Sequence, residues 1–387
     1  MNRRHFRRFL PIVLLVIGLG TGVPSPAYGA EPRGEAGQEA VRLSVRSSPG
    51  AAYRLEEKWA DPLLLRALRE PSARASERAA ERGASPELTD IYVEWAAPGG
   101  TSRTYRMEPN GQLYSEESDE AVRLPEPAAG RLLREAARLS RAHYGELADW
   151  SEASRLLPKL AVFTVVDLET GLHFRVQRRA GRDHADVQPV AKEDTQVMKT
   201  IYEDRWSWRR RAVLVQAEGR QLAASMNGMP HGGDGIPGNG FNGHFCIHFL
   251  NSSTHKSAAP DLAHQLMVFK AAGQPRALLQ RLTPLEQAES FAAAIHEQDR
   301  EWVRLLLERV DSSRSQQLQE RMARVLAIRP TAPERLHAGE DVLTAEVALA
   351  VNCQRSGGGR RTETLRFEFA RSSPSSPWRI TRLEGEL

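Results

Sequence analysis

Arg211-Ala-Val-Leu-Val-Gln-Ala217, then Glu218-Gly219, then Arg220-Gln-Leu-Ala-Ala224: apolar residues on both sides of a two-residue turn read as an antiparallel hairpin. Upstream, Ala161 to Val166 and Leu172 to Gln177 flank the turn Asp167-Leu168-Glu169-Thr170-Gly171 and form a first hairpin. Between the two, Lys192–Tyr202 reads as a short helix whose acidic start suits the helix dipole. Downstream come a Gly-rich segment over 228–243, an extended run from Phe245 to Leu250 and a helix over Pro260–Ala271, with Pro260 in its first turn. Residues 158–282 therefore predict a mainly-β central domain.

Two small α+β domains are expected around it. In residues 30–157 the stretch 30–50 is polar and irregular, Ala60–Leu68 is a short amphipathic helix, and 71–86 is a solvated Ala/Arg/Ser segment. Ile91–Trp95, Thr104–Met107 and the turns at Pro98-Gly99-Gly100 and Pro109-Asn110-Gly111 read as a meander, followed by a helix over 127–143. In residues 283–387, helices over 284–297, 299–309 and 314–326 precede strands at Val342–Val351, Thr364–Phe369 and Trp378–Leu383. Helices followed by a curved sheet resemble the cystatin or nuclear-transport-factor-like cone. The fold class is α+β, multidomain.

The formal net charge of +4 over 387 residues has a local origin. Arg3, Arg4, Arg7 and Arg8 precede an apolar run from Phe9 to Gly20 and a small-x-small ending at Ala27-Tyr28-Gly29, the layout of an export signal over residues 1–29. The run falls short of the roughly 20 residues that cross a bilayer, so no transmembrane span is expected after cleavage. Cleavage would remove four of the 53 basic residues and none of the 49 acidic ones, leaving 49 of each. That balance withdraws the electrostatic support for a nucleic-acid partner, while the export layout itself points to a secreted, extracytoplasmic chain. In that setting Cys246 and Cys353 read as two buried thiols or one interdomain bridge.

Chemistry concentrates where the histidines do. Of 11 histidines, five lie between His231 and His264, alongside Cys246. Side chains alternate along an extended segment, so His244, Cys246 and His248 share one face while Phe245, Ile247 and Phe249 turn to the core. Two chemistries use such a group. In one, Cys246 is a nucleophile, His231 its base, and the seven glycines over 228–243 let backbone approach a substrate. In the other, His231, His244, Cys246 and His248 hold zinc, with a water in the open position of a hydrolase. His184-Ala185-Asp186 would orient His231 or add a ligand. His255 and His264 read as structural. Trp206-Ser207-Trp208-Arg209-Arg210-Arg211, aromatic and basic residues flanking a strand, reads as packing and solvation, with a sugar- or anion-binding edge as the alternative. The alternative to both chemistries is a non-catalytic module that binds the cell envelope.

His231-Gly232, the Gly-rich loop, and then His244, Cys246 and Ile247 resemble the L,D-transpeptidase catalytic domain (YkuD-like), a secreted β-rich fold acting on peptidoglycan. The family pattern is a His-Gly pair upstream of Ser-His-Gly-Cys and an aliphatic residue. Gly243 stands here for its serine, Phe245 for its glycine, and His248 for its basic or amide residue. The resemblance implies that Cys246 accepts the acyl group, that His231 is its base and that His244 shapes the site. It further implies that His248, Gly232 and Gly243 lie along the substrate, that no cofactor is needed and that the partner is a cell-wall peptide.

Overall fold

The computed structural model describes residues 39–70, 74–75, 86–98, 100–233, 235–254, 259–333 and 343–387. The expected export signal, most of the 71–86 segment and His255 lie outside these residues. The architecture is α+β, with three sheets in chain order.

The first sheet is antiparallel, in the order β2-β1-β4-β5-β6-β7-β3. Its strands are β1 (Ala40–Arg46), β2 (Arg54–Lys58), β3 (Arg74–Ala75), β4 (Ile91–Ala96), β5 (Ser102–Met107), β6 (Leu113–Ser115) and β7 (Glu120–Val122). β1 corrects the reading of 30–50 as irregular: Val41, Leu43 and Val45 alternate into the core at 3% exposure or less. The arginines and serine between them had masked the period. Helix α1 (Pro62–Arg69) starts where the Asp61 carboxylate accepts from the Leu63 and Leu64 N–H groups, at 2.9 and 3.0 Å. Helix α2 (Glu126–His143) lays Leu132, Ala136 and Leu139 into the same core.

The second sheet closes on itself. β8 (Val162–Asp167), β9 (His173–Ala180), β10 (Ala185–Pro189), β11 (Arg210–Ala217), β12 (Arg220–Asn227) and β13 (Phe245–His248) form a barrel in the order β10-β13-β12-β11-β8-β9. β11 and β12 pair without slip from Arg210↔Asn227 to Ala217↔Arg220. Glu218 and Gly219 both have positive φ, 49° and 73°, as a type I′ turn requires. Val165, Phe174, Val176, Val213, Phe245 and Ile247 fill the interior, while Leu214 and Ala223 face outward into the core shared with the flanking segments. Three further helices surround it: α3 (Trp150–Leu156), not expected from the sequence, α4 (Lys192–Ile201) and α5 (Leu262–Ala271). α5 begins after its cap, Asp261, which leaves Pro260 outside the first turn.

The chain continues through α6 (Pro275–Leu279), α7 (Pro284–Glu297), α8 (Arg300–Leu306) and α9 (Ser312–Met322) to the meander β14 (Val325–Pro333), β15 (Thr344–Arg355), β16 (Arg360–Ala370) and β17 (Arg379–Glu384). β14 replaces the expected end of the last helix. Thr283 and Glu286 form a capping box at the start of α7, and Phe291 of that helix meets Phe367 edge-on at 5.6 Å between ring centres. One apolar cluster runs from β1 and α2 through the outer barrel face into α7 and β15, so the three sheets share a core. Cys246 and Cys353 are both buried and unbridged. Among the described residues no helix is long and apolar enough to cross a membrane.

Candidate active site

β13 enters the barrel with Phe245 and Ile247 inside, which turns Cys246 and His248 to the outer face. The neighbouring strand β10 runs antiparallel with Asp186 directly opposite Cys246, and a register shift follows between Asp186 and Val187. Closure of the barrel thus brings together two side chains 60 residues apart, with the Cys246 thiol 3.8 Å from the Asp186 carboxylate.

Two glycines hold the rings above the thiol. His231 and His244 exchange both backbone hydrogen bonds, at 2.9 and 2.8 Å. Gly232 (φ 70°) sits against the His244 ring, where a β-carbon would lie 2.3 Å from Cε1; one on Gly243 (φ 93°) would lie 2.3 Å from the His231 carbonyl oxygen. Both positions, expected to meet substrate, are occupied in letting two histidine strands approach. The His231 and His244 rings then meet edge-on at 4.5 Å.

His231 Nδ1 donates to the Met229 carbonyl at 2.8 Å, which aims Nε2 at the Cys246 sulfur, 3.2 Å away. The orienting group is therefore a backbone carbonyl, and Asp186 serves His184 instead: the carboxylate lies 3.1 Å from His184 Nε2. His184 Nδ1 donates to the Ser253 carbonyl at 2.8 Å. Burial works against a charge on His184, but Asp186, the Cys246 sulfur and the Ser253 carbonyl outweigh it and hold the ring at about 10. Burial likewise pushes the Cys246 thiol up, and hydrogen bonds from His184 and His231 overcome it, leaving the thiol below its ordinary value. His231 is raised, chiefly by its bond to Cys246.

His248 is 2% exposed and cannot reach a solvent-borne substrate, contrary to the expectation for it. It is sandwiched, with ring centres 4.4 Å from His184 and 3.7 Å from His264, each inclined by 15°. His264, read from the sequence as structural, shares a 2.9 Å hydrogen bond with Ser225. Burial pushes His248 and His264 well below the ordinary imidazole value, so both are neutral. Donor atoms of His184, Cys246 and His248 lie within 4.8 Å of one another. His244 Nε2 is 3.8 Å from Asp186.

The Trp206–Arg211 segment divides its labour. Trp206 packs edge-on against Phe241, while Trp208, 45% exposed, lies 5.0 Å from the His231 ring at the open side of the site. Arg211 makes a two-point ion pair with buried Asp167, and Arg210 pairs with Asp261 and Glu297. Those two cations are committed inside the protein, which removes most of the charge expected for an anion-binding edge. The chain matches no protein-family model, no curated protein and no solved structure.

Proposed function

We propose that the protein is an exported cysteine-dependent acyl-transfer enzyme, L,D-transpeptidase-like, acting on a cell-wall peptide or a similar amide. The observation that carries this reading is the 3.2 Å contact between Cys246 Sγ and a His231 Nε2 whose other nitrogen is fixed on the Met229 carbonyl. In the resting state Cys246 is a thiolate and His231 an imidazolium. The sulfur attacks the substrate carbonyl carbon; as the C–N bond breaks, His231 gives its Nε2 proton to the leaving amine, and a thioester remains on Cys246. An amine or water then attacks the thioester carbon and yields its proton to His231. The C–S bond breaks and the thiolate returns.

Zinc hydrolysis by His231, His244, Cys246 and His248 is the second reading, supported by the closeness of His184, Cys246 and His248. Two features weigh against it: His184 Nδ1 is turned to the Ser253 carbonyl, and His231 Nε2 already addresses the sulfur. The order of the last segment, helices and then a meander, favours a cystatin or nuclear-transport-factor-like cone as an accessory module for envelope binding.

The test is to incubate the purified protein with a peptidoglycan stem peptide and look by mass spectrometry for an acyl adduct on Cys246, while measuring bound metal. An adduct on Cys246 in metal-free protein is expected. Stoichiometric zinc with an unreactive thiol would overturn the proposal.

A further inference from the structure

We infer that His184 is a positioning residue for this reaction: held as a fixed imidazolium between the Ser253 carbonyl and the Asp186 carboxylate, it is the standing counter-ion of the Cys246 thiolate, and His231 is left to move the proton. The inference rests on the reading of Cys246 as the nucleophile.

The argument begins with hydrogen-bond polarity. A neutral imidazole has one N–H and one lone pair, so it satisfies one donor and one acceptor. His184 has an oxygen on each side, with Nδ1 donating to the Ser253 carbonyl at 2.8 Å and the Asp186 carboxylate 3.1 Å from Nε2, at the distance of an ion pair with a protonated ring. The ring is 2% exposed and the carboxylate 8%, so solvent does not relieve a mismatch. Gly181 fixes the approach. Its φ is 93°, and a β-carbon there would lie 2.0 Å from the His184 carbonyl oxygen, so the turn into β10 closes only with glycine.

The surroundings leave His184 as the buried cation of choice. On its far side the stacked rings of His248 and His264 are neutral and bring no second charge. On its near side Asp186 and the thiolate supply two negative charges, and the outer histidines His231 and His244 approach the same pair. Arg178, whose guanidinium is spent on the Ala180, Gly181, Ser154 and Leu157 carbonyls, adds a distant cation on the β9 side. With His184 and His231 protonated, the four central groups sum to zero. After acyl transfer to sulfur, His231 has lost its proton and the sulfur its charge, and the sum is again zero. The sulfur gives up its charge to the new C–S bond as His231 gives up its proton, so the fixed charge on His184 stays matched to Asp186 through the cycle. The buried ring stays charged while the half-buried ring, beside Trp208 at the open side, cycles.

The experiment is thiol alkylation against pH in the full-length protein, with His184→Gln, Asp186→Asn, Asp186→Glu and His231→Gln. The expected result is a midpoint for Cys246 that rises by one pH unit or more in H184Q, toward the ordinary thiol near 8.5. D186N should rise by less and D186E should sit nearer the unaltered protein, while H231Q keeps a low midpoint and loses acyl transfer. A folded H184Q with an unchanged midpoint would overturn the inference while leaving the nucleophile reading intact. An ordinary midpoint in the unaltered protein would sink both. Where H184Q does not fold, long-range 1H–15N spectra of the unaltered protein decide. Two protonated ring nitrogens on His184 above pH 7 support the inference, and a single protonated nitrogen overturns it.

Discussion

Cys246 and Cys353 are a controlled pair. Both sit mid-strand in antiparallel sheets, both are unbridged, and they are 6% and 2% exposed. Depth does not separate them; the far side of the strand does. Cys353 on β15 joins Val351 and Leu349 in the apolar core, and burial pushes its thiol up despite the nearby Arg355. Cys246 faces Asp186 and two imidazoles, and its thiol is pushed down. A buried cysteine is inert or poised according to which charges its strand partner presents. The sharpest way to break this comparison is substitution. Cys246→Ala is expected to lower acyl transfer by about 10³-fold or more, whereas Cys353→Ala should leave it within about twofold and cost about 1–2 kcal/mol of stability through a small cavity. Equal losses of activity in the two variants, measured at matched folded fraction, would end the distinction.

His231 sharpens the same contrast one step out. Its Nε2 is the proton route, so His231→Gln is expected to reduce kcat by about 10²–10³-fold with a smaller change in KM. A steady-state titration with stem peptide reads the split. A fall confined to KM would mean that the ring binds substrate and moves no proton.

Much of this site could be read from the chain. The alternation of Phe245, Ile247 and Phe249 with His244, Cys246 and His248 is local, and a strand's period of two sorts those residues without knowledge of the fold. The β11–β12 hairpin was equally local, because Glu218-Gly219 suits only one kind of turn. What joins Asp186 to Cys246 is the closing register of a barrel, and no spacing within the sequence carries it. The Met229 carbonyl that aims His231 is backbone and has no residue signature. The resemblance set His248 along the substrate, and nothing in its spacing shows that the outer face of β13 is covered. Here that face meets α5, whose His264 stacks on it at 3.7 Å.

The two glycines test whether the site is built or incidental. At Gly243, φ is 93° and a β-carbon would press on the His231 carbonyl at 2.3 Å. Gly243→Ala is expected to cost about 2–3 kcal/mol through strain and displacement of the His231–His244 bridge. Gly357 has a similar φ of 73°, but it lies on the turn that follows the Cys353 strand and has open space around it. Gly357→Ala should therefore cost only about 1 kcal/mol. Urea unfolding measures both. Equal costs would mean that the close approach at His231 contributes nothing.

Acid is the mildest probe and separates the histidine stack from the rest of the molecule. His248 and His264 are held well below the ordinary value, and buried His143, stacked on the Tyr53 ring, is pushed down to about 3. In the unfolded chain all three protonate near 6.5, so below that pH the unfolded state binds more protons. Their contribution is complete above about 6.5 and is lost as pH falls, each by about 1 kcal/mol per pH unit. Glu297 acts the other way. Burial raises its carboxyl to about 7, so its contribution is complete below about 4.5 and fades as pH rises through 7. His296 is pushed down as well, to about 4, chiefly by burial, so between pH 6.5 and 5 four depressed histidines outnumber Glu297 and stability should decline with acid. His143→Phe keeps the ring while removing one titrating group distant from the thiol. It is expected to reduce that slope by about one proton, close to 1 kcal/mol per pH unit, in urea unfolding at pH 7.5, 6.5 and 5.5. An unchanged slope would mean that His143 contributes nothing and would leave the acid sensitivity to His248, His264 and His296.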